Sequence, residues 1–358
     1  MKKTVILLGS SLTTLSLYLF YPLTLPPTDR NYEKFAFPTD SPNPQFLTKI
    51  PKKIGIIGSG VSGLIAGKTF VQQGFDVEIL DQNPDVGGIW HQNYYDVGIQ
   101  GPSWHYTLVD YGFDQGVEVF PKLPALQNYL RNYVNFFGFS DRIKLNHKVE
   151  KVEQNPDFTW NVEVKSKGKI EKKQYDFLIM ASGLHNKYIP NVPGLDTFKG
   201  KILYNSEVTS PDMIKGKNVV VVGGSKGAWD MLHRADDEAK TVTSLMTNSR
   251  HAIPVIKRWG VTSLSFYTTR FPSFFYMNID PEGTEYVYKY GGFLKKIFYN
   301  WLRSYNDDIA DHLSGNNVLE TTYPIRVHIR DDKSIDAIRK GRIKVVKGFF
   351  ECLNFIII

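Results

Sequence analysis

Cysteine is nearly missing from this 358-residue chain, and Cys352 is the single one. One thiol excludes a disulfide scaffold, a CxxC redox pair and any multi-cysteine zinc or iron–sulfur site. His91 and His105 do not sit in a metal-ligand spacing, and no metal residues are assigned. Zinc-finger spacing, a basic zipper and RNA-binding signatures are also lacking, so nucleic acid is not an expected partner. What remains is ordinary globular composition, 42% apolar and 22% charged. The 43 Lys and Arg against 36 Asp and Glu leave a net charge of +7. Such a balance suits anionic cofactors or an anionic membrane surface, and equally a plain basic solvated exterior. At ~150 residues per domain the length predicts two or three domains.

Between Lys3 and Asp29 there is no charge, and Val5–Leu8 and Leu17–Phe20 are strongly apolar. The stretch is long enough to cross a hydrocarbon core, which takes ~20 helical residues. A secretory signal shares the basic start and apolar middle. No clear small-x-small cleavage site precedes Pro22, which favours an uncleaved anchor; five Ser and Thr between Ser10 and Ser16 dilute the hydropathy. Residues 1–28 are therefore expected to be a membrane anchor or signal, with the endoplasmic reticulum as candidate compartment. Pro38, Pro42, Pro44 and Pro51 mark 29–51 as a linker.

The globular part then opens on a buried-strand run, Lys53–Ile57, that feeds Gly58-Ser59-Gly60-Val61-Ser62-Gly63. A helical stretch Leu64–Gln73, the stop Gly74 and a second strand, Val77–Leu80, follow. Asp81 ends that strand about 20 residues on, as the dinucleotide fingerprint requires. Each residue has a physical task. Gly58 permits the tight turn, Gly60 lets main chain approach a pyrophosphate, and Gly63 allows close helix–strand packing. The helix start offers free N–H groups to phosphate, and Asp81 can accept from a ribose hydroxyl.

A second start, Asn218–Val222, feeds Gly223-Gly224-Ser225-Lys226-Gly227-Ala228. Serine and alanine replace two of the fingerprint glycines, and Lys226 is within reach of a phosphate. The strand Val242–Met246 ends in Thr247-Asn248-Ser249-Arg250-His251 without an acid. Arg250 suits a 2′-phosphate, since its planar fork pairs with phosphate oxygens, or is a solvated loop charge. Helical spacing links Leu126, Leu130, Val134 and Phe137, with Gly138 as the stop; further strands are expected at 149–152, 160–164 and 177–180. The fold class is α/β, with two Rossmann-like dinucleotide-binding domains.

These residues together resemble the flavin-containing monooxygenases. The matching pieces occur in that family's order: Gly58–Gly63 and Asp81, Gly87-Gly88-Ile89-Trp90, Gln100-Gly101-Pro102 with Tyr106, and Asp110-Tyr111-Gly112-Phe113. Then come Asp176 with Ala181-Ser182-Gly183, Pro190 with Pro193-Gly194, and the second glycine cluster. The resemblance covers about residues 52–350 and implies FAD at the first site, with Gly87, Gly88, Ile89 and Trp90 near the flavin, and NADPH at the second. It implies hydride reduction of the flavin, addition of molecular oxygen at C4a, and transfer of one oxygen atom from the hydroperoxide. The acceptor would be a soft nitrogen or sulfur nucleophile of a small apolar substrate. No catalytic side chain is assigned.

Some positions depart from the family. Phe198-Lys199-Gly200 fits its identifying motif, but Tyr204 stands at the histidine position and Val208 at the aromatic one. The missing tryptophan there argues against ester- or lactone-forming chemistry. In the family the second domain is inserted into the first. The expected division is thus an FAD domain at 52–195, an NADP domain at 196–330, and an incomplete return to the FAD domain at 331–358 starting near Arg342–Val346. A reductase on the same scaffold and a catalytically impaired relative are the alternatives. The aromatic stretch Phe266–Tyr276 suits packed core first, and otherwise a substrate channel or a membrane contact. Phe293, Ile297 and Trp301 share one face of a helix.

Overall fold

The computed structural model describes residues 51–91, 93–99, 101–183, 197–224, 226–246, 252–254, 257–258, 261–262, 328–330, 333–347 and 356–357. The expectations for 1–28 and nearly all of the linker lie outside the described residues, as do those for Gln100, Ser225, Arg250, the aromatic stretch and the helix at 293–301. Among the described residues no helix is long and apolar enough to cross a membrane. They divide into two units, one of residues 51–98 and 107–183, the other of 99–106 and the described residues from 197 onward.

In the first unit, β1 (Lys53–Ile57), α1 (Val61–Gln72) and β2 (Asp76–Leu80) make the opening β–α–β turn. Next come α2 (Leu123–Phe137), β3 (Ile143–Lys144), β4 (Lys148–Gln154), β5 (Trp160–Ser166), β6 (Lys169–Tyr175) and β7 (Phe177–Met180). One sheet runs β3-β2-β1-β7, with β1 parallel to both neighbours. Central position explains the composition of β1, whose Ile54 and Ile56 are wholly buried on a strand covered on both faces. Gly55 is needed because a Cβ there would lie 2.7 Å from the Tyr175 ring. α2 turns Leu126, Tyr129, Leu130, Tyr133 and Val134 inward, a stripe of i, i+3, i+4 spacing. It stops at Gly138, whose φ of 67° is the left-handed cap that glycine takes at no steric cost.

β4, β5 and β6 form a separate antiparallel sheet. Glu78 on β2 reaches two groups of that sheet's last strand. Tyr175 Oη donates to its Oε2 at 2.5 Å and Lys173 Nζ to its Oε1 at 2.7 Å. Burial raises the Glu78 carboxyl, but the bonds from Lys173 and Tyr175 outweigh it and hold it below its ordinary value of 4.5. A depressed carboxylate contributes stability that is complete above its unfolded-state pKa and disappears as pH falls through the folded-state one. Denaturant titrations of wild type and Glu78→Gln should therefore differ most above pH 4.5 and converge in more acidic buffer. A gap that persisted undiminished at the lowest pH would refute this assignment.

The second unit repeats the parallel pattern with β8 (Asn218–Val222), α3 (Lys226–Glu238) and β9 (Thr241–Met246). The remaining elements are β10 (Ala252–Pro254), β11 (Lys257–Arg258), β12 (Val261–Thr262), β13 (His328–Arg330), α4 (Lys333–Arg339), β14 (Ile343–Lys347) and β15 (Ile356–Ile357). The sheet order is β14-β9-β8-β15, all parallel. Two short pairs stand apart from it, β10 with β13 and β11 with β12.

Arg342–Val346, expected from the sequence to start a return to the first domain, runs along this parallel sheet. Val242 pairs with Ile343 and Leu245 with Val346, so β14 is a strand of the second sheet, next to β9. The side chains around it explain the placement. Arg342 forks onto Asp236 of α3, Nε to Oδ1 at 2.9 Å and Nη2 to Oδ2 at 2.7 Å. Lys333 of α4 bonds Asp237 at 2.5 and 2.7 Å. Ile335, Ile338 and Ile343 bury the apolar side of this α4–β14 pair. Residues 99–106 also group with the second unit, although the expected boundary put them in the first.

Candidate functional site

The first glycine turn is built by close main-chain packing. Gly58 has φ 107°, and a Cβ on it would lie 2.3 Å from the Ala181 carbonyl oxygen. A Cβ on Gly63 would lie 1.8 Å from the Gly58 carbonyl oxygen. These two glycines are fixed by the protein's own backbone. Gly60 is different, since a Cβ there would meet nothing nearer than Gly88 Cα at 3.6 Å. It caps α1 without any side-chain hydrogen bond, and the first turn of α1 carries no acid. The leading amides of the helix, from Val61, Ser62 and Gly63, thus have no capping group in front of them. Bare amides at the positive end of a helix dipole, beside a glycine with spare room, fit a pyrophosphate.

A second bare turn closes on the first. Gly87 N donates to Ser59 O at 2.9 Å, and a Cβ on Gly88 would come within 2.9 Å of Gly60 Cα. Gly88–Trp90 then forms one 3-10 turn, with Ile89 exposed and Trp90 half-buried against the core of the unit. Asp81, at the end of β2, is almost wholly buried. Its Oδ2 accepts from Ser59 N at 2.6 Å and Ser59 Oγ at 2.8 Å, and its Oδ1 from Asn83 N at 2.8 Å. Gly58, Ser59, Gly60, Val61, Ser62, Gly63, Asp81, Gly88, Ile89 and Trp90 all fall in the first unit.

Next to the Gly87–Gly88 turn stands a polar array that sequence reading missed. Arg131 Nε donates to Asp85 Oδ2 at 2.7 Å, and Gln127 Nε2 lies 3.4 Å from the same oxygen. Gln127 Nε2 is also 3.3 Å from His91 Nδ1. Val86 N donates to Asp85 Oδ1 at 2.8 Å. Burial raises the Asp85 carboxyl, yet the Arg131 and Val86 bonds prevail and keep it below the usual carboxylate range. Gln127 and Arg131 are four apart on α2, so their shared face was readable; their partner Asp85 carries no local signal.

In the second unit, Gly223 has φ 127°, and its N–H bonds Leu245 O at 2.9 Å. Lys226 pairs with Asp230 one turn along α3, which occupies the ammonium within its own helix. A Cβ on Gly227 would lie 2.4 Å from Asn205 Nδ2, so Asn205 belongs to this turn, a neighbour no sequence spacing announces. Tyr204 begins a 3-10 turn in which its own N–H donates to Glu207 Oε2 at 2.7 Å, and Val208 is fully buried. Among the described residues no group of three or more His, Cys, Asp and Glu could hold a metal ion.

Two glycine-turn βαβ units with these contacts can be compared with known proteins. A family model described as flavin-binding monooxygenase-like matches residues 51–290. The chain belongs to the flavin-binding monooxygenase-like family. Flavin-containing monooxygenase 3 of Oryctolagus cuniculus is 28% identical over 261 residues, covering 66% of this chain and 48% of that protein. Flavin-containing monooxygenase 1 of Sus scrofa is 28% identical, covering 63% and 45%. The chain thus spans about half the length of the curated relatives it matches. Among solved structures, OTEMO in complex with FAD and NADP superposes with a TM-score of 0.62 at 17% identity, over 86% of this chain and 71% of that one. That likeness supports the fold, two Rossmann-like α/β domains in a flavin-binding monooxygenase-like protein.

Proposed function

We propose that this protein is an FAD- and NADPH-dependent monooxygenase that places one oxygen atom on a soft nitrogen or sulfur nucleophile of a small apolar substrate. The observation that carries the reading is the uncapped start of α1, with Gly60 and Gly88 in contact through bare main chain. The family membership and the relatives' names support the oxygenating chemistry. When bound, the flavin would supply hydride acceptance and oxygen activation.

This chain's residues would do the rest. The amides of Val61, Ser62 and Gly63 would hold the pyrophosphate, and Asp81 would meet the adenosine ribose. Gly88, Ile89 and Trp90 would line the flavin's approach. In the second unit Gly223, Ser225 and the start of α3 would receive NADPH, with Arg250 on its 2′-phosphate. Lys226 would reach a phosphate by leaving Asp230. No side-chain nucleophile is required, because the protein's part in this chemistry is binding, orientation and exclusion of water.

The test uses the full chain purified with FAD. Bound flavin absorbance, NADPH oxidation accelerated by a tertiary amine or thioether, and matching oxygen uptake with an oxygenated product are expected. A chain that stays colourless after FAD reconstitution would overturn the proposal. NADPH oxidation without product oxygenation would point instead to a reductase on the same scaffold.

A further inference from the structure

The bonds around Asp81 carry a consequence for how a ribose is read, on the reading that the first turn binds an adenine dinucleotide. An ionised carboxylate offers about four acceptor positions, two on each oxygen. Both positions of Oδ2 are taken from within the protein, by Ser59 N at 2.6 Å and Ser59 Oγ at 2.8 Å. Asn83 N takes one position of Oδ1 at 2.8 Å. Ser59 is fully buried, so water does not compete for its hydroxyl, and Asp81 has little surface of its own. The same serine accepts from Gly87 N through its carbonyl, so moving it would disturb both glycine turns.

We propose that Ser59 is a specificity-determining positioning residue: its hydroxyl occupies the second acceptor of Asp81 Oδ2 and leaves the carboxylate one position, on Oδ1, for a single ribose hydroxyl. Capture of both vicinal hydroxyls by one carboxylate, the bidentate alternative, is closed. The adenosine ribose is then read at one hydroxyl and ignored at the other by this residue.

Titration of the full, flavin-depleted chain with ADP, 2′-deoxy-ADP and 3′-deoxy-ADP by calorimetry tests this. One deoxy analogue should bind about 10-fold more weakly than ADP, the size of one hydrogen bond to a charged acceptor, and the other within about 2-fold of it. Equal weakening of both analogues would overturn the proposal while leaving the dinucleotide site intact. Failure of ADP itself to bind would instead bring down the reading of the site. In S59A the freed acceptor should make both deoxy analogues weaker than ADP, a change of pattern that mere loss of stability would not produce. If S59A kept the wild-type pattern, the hydroxyl would have no part in selection. Should S59A not fold, S59G removes the same hydroxyl and should show the same change of pattern.

Discussion

Gly63→Ala should unfold the first unit, whereas Gly60→Ala should leave it folded and abolish flavin binding. Both residues belong to the same fingerprint, and a motif alone would treat their loss alike. The contacts separate them. A methyl on Gly63 would stand 1.8 Å from the Gly58 carbonyl oxygen, far inside any permissible approach, and the oxygen belongs to backbone that is itself anchored at φ 107°. Relief would require separating α1 from β1, at about 3 kcal/mol or more, the upper range for overpacking. At Gly60 the nearest atom is 3.6 Å away and the backbone lies at φ −73°, which alanine adopts freely. The methyl costs at most about 1 kcal/mol as a poorer helix cap. It would project where the pyrophosphate must approach main chain, so FAD affinity should fall at least 100-fold, or about 2.7 kcal/mol. Thermal denaturation and flavin titration of the two variants together check the assignment. A Gly60→Ala protein that bound FAD normally would show that the turn serves structure alone.

Much of this was legible in the sequence because the glycine turn, the strand before it and the acid after it are local. The strand Lys53–Ile57, the stop at Gly138 and the strand Phe177–Met180 follow from apolar runs and punctuation within a few residues. Partner choice across long separations was not legible. Nothing in Arg342–Val346 distinguishes a strand of one parallel sheet from a strand of another, since buried parallel strands share the same apolar composition. Its place beside β9 rests on pairing and packing with residues about a hundred positions earlier, and the two-bond contact of Arg342 with Asp236 accompanies it. The strand Lys169–Tyr175 was missed for a related reason. Its charged face is exposed, and only Tyr175 at its end enters the core. The Ser59 contacts to Asp81 escaped because a serine in a glycine turn reads as a small residue, and its bond direction is a three-dimensional fact.

The motif Asp110-Tyr111-Gly112-Phe113 resembled part of a functional signature, and the structure gives it a load of another kind. Tyr111 is buried among Tyr129, Tyr133 and Phe136, and Phe113 stacks on Tyr129 at 3.9 Å between ring centroids. Tyr129 Oη accepts from Leu108 N at 2.8 Å and donates to Tyr111 O at 2.5 Å, which fastens the segment to α2. Asp110 forms an ion pair with Lys68 of α1, whose ammonium also lies 4.9 Å from the Phe137 ring centroid. The two ends of this pair are unequally enclosed, the Lys68 side chain being 6% exposed and that of Asp110 21%. Asp110→Ala should therefore be the costlier change, about 3 kcal/mol, because it takes the carboxylate from the more enclosed member of the pair. Lys68→Met should cost about 1 kcal/mol, since the carboxylate left behind can draw water and the methionine refills the apolar stem. The double variant should be less destabilised than Asp110→Ala alone, a coupling of about 2 kcal/mol in the mutant cycle. Urea denaturation of the four proteins gives the cycle directly. Additive losses, or a larger loss at Lys68 than at Asp110, would show that the segment is held by its aromatic contacts and not by charge.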